Sequence, residues 1–111
     1  MRKIPALQWL EANRNPYPLA SNRFPTVAEA RAFVDELFKL GAVEVYVADP
    51  KDDEARVRAE GGPYADTLVV DLPDGTKQRK ALFMRAAEEA ARDGYAAETD
   101  IGQKQMVLWW D

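Results

Sequence analysis

The clearest alternation of apolar and polar side chains lies in residues 41–50. A valine stands at every second position from Val43 to Val47, and Glu44 and Tyr46 fill the positions between them. A period of two is typical of a β-strand with one buried face. Pro50 ends the pattern because proline cannot donate to a strand ladder.

Three later segments are further strand candidates, and the first of them, residues 67–72, repeats this alternation. Residues 67–72 and 104–110 predict two further strands, and residues 95–99 predict a weaker one. Residues 100–103 contain a glycine and are short enough to join the last two as a hairpin.

Two long segments have apolar residues at helical spacing instead. The first starts after Thr26, whose side chain can form a capping box with Glu29, and ends at Gly41. The second covers residues 77–92 and ends at Gly94, with an inner face for which we expect the following residues: Leu82, Phe83, Ala86, Ala87 and Ala90. A short helix is predicted within residues 5–13.

These elements predict an α+β fold, a two-layer sandwich. A four-stranded, mainly antiparallel sheet would carry two main helices on one face, in the order α-αββ-αββ, with the short N-terminal helix in addition. We divide the chain into residues 1–25, a short helix followed by a proline-rich strap (residues 13–25), and residues 26–111, the α+β core domain.

The strand pattern also predicts which side chains face the helices and which face outward. The predicted inner set is Val43, Val45, Val47, Leu68, Val70, Leu72, Met106, Leu108 and Trp110. The predicted outer set is Glu44, Tyr46, Val69, Asp71, Val107 and Trp109. Because the outer set is half apolar, it is either covered by apolar residues of the N-terminal segment (Trp9, Tyr17, Leu19 and Phe24) or binds a partner.

Composition limits the chemistry. The chain of 111 residues has neither histidine nor cysteine, which excludes disulfides, thiolate ligands, and Ser-His-Asp and Cys-His catalytic arrangements within it. With 47% hydrophobic and 31% charged residues and no long apolar run, we expect a globular cytoplasmic protein that neither spans nor enters a membrane.

The net charge of -4 is unevenly distributed. Residues 1–31 hold five bases against two acids, whereas residues 44–74 hold nine acids against three bases. A negative body repels phosphate backbones, so nucleic acid is disfavoured as a partner.

The long connection over residues 49–66 is a candidate metal-binding loop. Its acidic residues are Asp49, Asp52, Asp53, Glu54 and Asp66. The spacing does not match an EF-hand, because Lys51 occupies the third position and Glu54 the position of the glycine. The alternative is that Asp52 or Asp53 caps a short helix that extends to about Ala59.

A basic cluster near the start of the second long helix is a candidate anion site, formed by Lys77, Arg79 and Lys80, with Arg85 one to two turns further on. The alternative is ion pairing with Glu88, Glu89 or the acidic loop.

Together these features favour a small non-enzymatic protein-interaction module, without a cofactor, that acts through its aromatic sheet face and acidic loop. The predicted binding residues on the face are Tyr46, Val69, Val107 and Trp109, and the partner is another protein or a second copy in a homodimer. Two alternatives stay open: a divalent-metal-dependent hydrolase or transferase that uses the loop carboxylates, and an acidic decoy of a nucleic-acid-binding partner.

Overall fold

The computed structural model describes residues 1–110. Asp111, which ends the predicted core segment 26–111, lies outside the described residues. The elements, in chain order, are β1 (Lys3–Pro5), α1 (Ala6–Ala12), α2 (Val27–Lys39), β2 (Glu44–Ala48), α3 (Glu54–Glu60), β3 (Thr67–Asp71), α4 (Thr76–Arg92) and β4 (Gln105–Trp109). The α+β class and the four-stranded sheet are confirmed. No helix within residues 1–110 has the length and apolar character needed to cross a membrane.

The four strands form one sheet in chain order, β1-β2-β3-β4, and every neighbouring pair is antiparallel. The identity of one strand differs from the prediction. Residues 95–99 are not a strand, and the fourth strand is instead Lys3–Pro5, which pairs with β2. Three residues, one of them a proline, give too little alternation to be recognised in sequence, and pairing with β2 imposes their extended conformation.

The helix boundaries follow the signals in the sequence. Thr26 accepts a hydrogen bond from the Glu29 amide at 3.1 Å and caps α2. The chain leaves this helix through Gly41 at φ +117°, where a Cβ atom would lie 2.9 Å from the Cβ of Gln78. Asp53 caps α3 through the Arg56 amide, so the prediction of a short helix in the acidic loop is confirmed.

The core lies between the helices and one face of the sheet. Its strand side consists of Val45, Val47, Leu68, Val70, Met106 and Leu108, all buried as predicted. Val43 is an exception: it precedes β2 and is exposed.

The N-terminal segment belongs to the same core. Trp9, Leu19 and Phe24 are buried in it, and the Phe24 ring packs 5.2 Å from the ring of Phe33 on α2 and 5.3 Å from that of Trp110. The strap therefore packs on the helix side of the sheet within its own chain.

A buried carboxylate joins the strap to α4 and to the end of the chain. Glu89 is 3% exposed and its Oε1 accepts from Arg23 Nε at 2.7 Å and from Trp110 Nε1 at 3.0 Å. Its Oε2 accepts from Arg23 and Arg85 nitrogens, both at 3.0 Å. Burial alone would raise the pKa of Glu89, but the hydrogen bonds from Arg23 and Trp110 and the charges of both arginines lower it below its usual range.

Glu89 also corrects the predicted inner face of α4. Leu82, Phe83 and Ala86 are buried as expected, whereas Ala87 is exposed and Glu89 takes a buried position. The spacing in the sequence indicates this buried position. Glu89 lies three residues after Ala86 and seven after Leu82, which places it on the apolar stripe of the helix.

Candidate functional site

The outer face of the sheet carries an apolar row that crosses all four strands. Strand register places Pro5 beside Tyr46, Tyr46 beside Val69, and Val69 beside Val107. We call these four residues the central row. Val69 is 1% exposed although it lies outside the main core cluster, and its cross-strand neighbours are Tyr46 and Val107.

The ends of this face differ in charge. At one end, Glu44, Asp71 and Gln105 are register neighbours, and Gln105 Nε2 donates to Asp71 Oδ1 at 2.7 Å. At the other end, Lys3 pairs with Ala48, and Thr67 pairs with Trp109. The first set is called the acidic end of the face and the second the Lys3 end.

The exposed apolar and aromatic side chains of the face lie at β4, whereas Tyr46 is half-buried. Val107 is 43% exposed and Trp109 50% exposed, and the Tyr95 ring lies 5.3 Å from that of Trp109. Lys3 Nζ lies 5.1 Å from the centre of the Tyr46 ring, a cation–π distance. Partial burial and the negative charges of Asp71 and Glu44 raise the pKa of the Tyr46 phenol.

The residues considered as a cover for this face lie elsewhere. Trp9, Leu19 and Phe24 are in the core on the helix side, and Tyr17 is 54% exposed in the strap. The structure therefore brings Tyr46, Val69, Val107 and Trp109 to one face of the sheet, where Val107 and Trp109 are exposed, Tyr46 is half-buried and Val69 is buried. Their role in binding stays a prediction.

Sequence reasoning missed two members of this face, Lys3 and Pro5, because β1 was not recognised. The available signal was weak: Lys3 and Pro5 flank Ile4, an alternation of only three residues. Their position on the outer face follows from the pairing with β2.

The carboxylates of the acidic loop are not gathered in one place. Asp49 Oδ1 accepts from the Arg2 amide and Asp52 pairs with the Arg2 side chain, both at 2.7 Å. Asp53 caps α3, Glu54 pairs with Arg58 at 2.7 Å, and Asp66 lies 3.5 Å from Lys51.

Each acid of the loop is thus paired within the protein, with Arg2 shared by Asp49 and Asp52. Within residues 1–110 no three acidic side chains are arranged to hold a metal ion. Arg2 lowers the pKa of Asp52, chiefly through the hydrogen bond between their side chains.

The basic cluster is divided in a similar way. Arg79 binds Asp100 at 2.6 Å and the carbonyl oxygens of Pro73 and Gln103, and it thereby holds the turn before β4. The Asp100 pKa is lowered mainly by its hydrogen bond from Arg79. Lys77 and Lys80 are exposed on α4.

Arg85 pairs with Glu36 at 2.9 Å and with Glu88 and Glu89, so ion pairing accounts for its position.

A separate groove lies between the strap and α3. It has a volume of about 590 Å³ and is lined by Asn15, Pro16, Tyr17, Ser21, Arg56, Ala59, Glu60 and Tyr64. Arg56 is held there by Asp53 and Glu60, with its Nη1 3.1 Å from a Glu60 oxygen. The charges within this groove are therefore paired internally.

The outer face is the surface on which exposed aromatic groups, apolar neighbours and separated charges coincide. Such a surface can bind another protein surface, with apolar contact at its centre and charge pairing at its ends. Comparison with protein-family models, curated proteins and solved structures gives no match to this chain.

Proposed function

We propose that this protein is an interaction module that associates with a second copy of itself through the outer face of its sheet. The observation that supports this most directly is the central row, which continues across four strands on a face that neither the helices nor the strap covers. Within the row Val107 is exposed, Pro5 and Tyr46 are half-buried, and Val69 is buried between its neighbours. Tyr46 and Trp109 are of the residue types enriched in protein interfaces.

The charges on the face favour one arrangement of two copies. A two-fold axis parallel to the strands would place Glu44 of one copy opposite Asp71 of the other, twice over, which is repulsive. A two-fold axis along the central row places the acidic end of each copy opposite the Lys3 end of the other. Like charges then lie apart, and the central row packs against itself.

Light-scattering chromatography of the parent and of Tyr46→Lys tests this proposal, because it measures the mass of the assembly in solution. In the favoured arrangement the two copies of residue 46 are close, so a lysine at that position introduces two like charges into the apolar centre. We expect the parent to exceed the 12.5 kDa mass of one chain and the variant to fall to a smaller species that still unfolds cooperatively.

Tyr17→Lys is the matched control, because it makes the same change at an exposed tyrosine of the strap. Its mass should equal that of the parent. A parent with the mass of a single chain at the highest attainable concentration contradicts the proposal. So does a Tyr46→Lys variant that keeps the mass of the parent.

The acidic-decoy alternative predicts a complex with a basic partner that weakens steeply as salt is added. The metal-enzyme alternative predicts stoichiometric binding of a divalent ion. The loop acids are already paired within the protein, which favours neither alternative over the outer face.

A further inference from the structure

The two edges of the sheet differ in their capacity to accept another strand. The β1 edge is three residues long, carries the charged Lys3, and contains Pro5, which has no N–H group. These are features that protect an edge from strand addition. The β4 edge is five residues long, Gln105–Trp109, and contains neither proline nor a charged side chain.

Hydrogen bonds fix which amides of β4 point away from the sheet. Trp110 donates to Asp66 O at 3.0 Å and Leu72 donates to Lys104 O at 2.8 Å, so the even-numbered residues of this strand pair with β3. The Val107 amide points the other way and donates to Glu98 Oε2 at 2.7 Å. The outward set is therefore Gln105, Val107 and Trp109.

The outward amide of Val107 is bonded to a side chain and not to another strand. Glu98 belongs to residues 95–98, which lie beside β4 without joining the sheet and leave a cleft of about 300 Å³ next to Val107 and Trp109. Residues 95–98 are exposed along their whole length. One carboxylate thus occupies the middle of an otherwise regular strand edge.

We infer that β4 pairs antiparallel with β4 of a second copy, centred on Val107, and that Glu98 is displaced when it does. With Val107 opposite Val107, Gln105 of each copy lies opposite Trp109 of the other. All three outward residues then form hydrogen-bonded pairs, which gives about six backbone bonds across the boundary. The contact is isologous, and no charged side chain of Gln105–Trp109 meets another.

A second copy fits this edge because β4 can pair with itself in the register centred on Val107. The central row would run without interruption from Pro5 of one copy to Pro5 of the other, since Val107 ends the row in each. The exposed parts of Val107 and Trp109 would gain neighbours on the same face. The bond from Glu98 and the packing of the Tyr95 ring on Trp109 are exchanged for a complete strand ladder.

This edge contact does not depend on the face contact proposed above, but the two are geometrically compatible. The two-fold axis of the edge contact is perpendicular to the sheet and passes beside Val107. The two-fold axis of the face contact runs along the central row. The two axes cross at right angles on that row. Together they generate a closed assembly of four copies, with two eight-stranded sheets stacked face to face.

Val107→Pro tests the edge contact. Because Val107 also belongs to the central row, Val107→Ala, which shortens the side chain but keeps the amide, is the control and should keep the mass of the parent. Because the Val107 amide bonds Glu98 and not β3, proline there removes an outward donor without removing a bond of the sheet. We expect sedimentation velocity to show half the parent mass. Tyr46→Lys should break the face contact alone, and the two substitutions combined should give single chains.

Glu98→Ala tests the same contact in the opposite direction. Each free chain would lose the carboxylate that satisfies its Val107 amide, so self-association should tighten by about tenfold. Glu11→Ala, an exposed glutamate of α1, is the control for the same charge change and should have no effect. Hydrogen exchange at the Val107 and Trp109 amides should slow as concentration rises.

The outcomes separate the two contacts. If only Tyr46→Lys lowers the mass, edge pairing is refuted and the proposed function stands. If only Val107→Pro lowers it, the face contact is refuted and edge pairing stands. If parent and Glu98→Ala remain single chains with concentration-independent exchange at Val107, both are refuted.

Discussion

Replacing Glu89 by glutamine should lower the free energy of unfolding by about 2–4 kcal/mol. The carboxylate accepts four hydrogen bonds, from Arg23, Arg85 and Trp110, while it is 3% exposed. Glutamine preserves the shape of the side chain but offers one acceptor oxygen and adds an NH₂ donor. Two donors therefore lose their acceptor and face another donor instead.

The size of the loss follows from the strength of these bonds. A hydrogen bond to a charged group contributes about 1.5–3 kcal/mol, and two of them are removed. The side chains of Arg23 and Arg85 are 22% and 19% exposed, so water recovers part of that energy. The remaining loss is a large part of the total stability of a domain of this size, which is about 5–15 kcal/mol.

The measurement is urea unfolding followed by circular dichroism, with Glu88→Gln as the matched control. Glu88 is on the same helix and also contacts Arg85, but it is 67% exposed and its contact is 3.4 Å long. The control should change stability by less than about 1 kcal/mol. If Glu89→Gln costs no more than Glu88→Gln, the buried carboxylate does not stabilise the fold.

The effect should also depend on pH with a defined sign. The folded pKa of Glu89 is lowered, so its contribution is complete above the unfolded value of about 4.3 and is lost as the pH falls through the folded pKa. The stability difference between parent and Glu89→Gln should be full at pH 7 and shrink below about pH 4. A constant difference down to pH 2 would contradict the lowered pKa.

Three further outcomes follow from the structure. Phe24→Ala should destabilise the protein by about 3–5 kcal/mol in urea unfolding, because the ring is buried between two other aromatic groups; an effect below about 1 kcal/mol would place the strap outside the core. Thr26→Ala should cost about 1 kcal/mol through loss of the α2 cap, whereas Thr76→Ala, at a helix start whose cap residue makes no side-chain hydrogen bond, should cost less. Asp71→Asn should lower the pKa of the Tyr46 phenol toward its usual value in an ultraviolet titration, and an unchanged titration would mean that Asp71 does not act on it.

Much of the fold could be predicted from the sequence because local signals agreed with tertiary packing. Thr26 and Gly41 bound α2, and alternating valines define β2. Asp53 was one of two residues predicted to cap α3. In each case a few neighbouring residues determine the outcome, which is what a sequence pattern can record.

The misassigned strand shows what local patterns cannot record. Residues 95–99 were predicted as a weak strand, but they lie beside the edge of β4 without joining it, and Glu98 meets Val107 through a side chain instead of the backbone. Lys3–Pro5 has almost no strand character and becomes β1 because the other edge of β2 is free for it. Strand identity here is decided by pairing over long distances in the chain.

The candidate site shows the same limit. Alternation placed Tyr46, Val69, Val107 and Trp109 on one face, and they do share it. It could not show whether the N-terminal segment covers that face, because this depends on where Phe24 packs. The position of the Phe24 ring depends in turn on its contacts with Phe33 and Trp110, which come from other parts of the chain.

The carboxylate of Glu89 has a kinetic consequence. Its partner Arg23 is 66 residues away along the chain, and its partner Trp110 is 21 residues away. Because closing such a long loop costs conformational entropy, we expect this contact to form after the rate-limiting step of folding. Removing it should then accelerate unfolding and leave refolding nearly unchanged. The charged cluster that joins strap, α4 and the final strand would set the lifetime of the folded state, and the speed of folding would be set by the sheet.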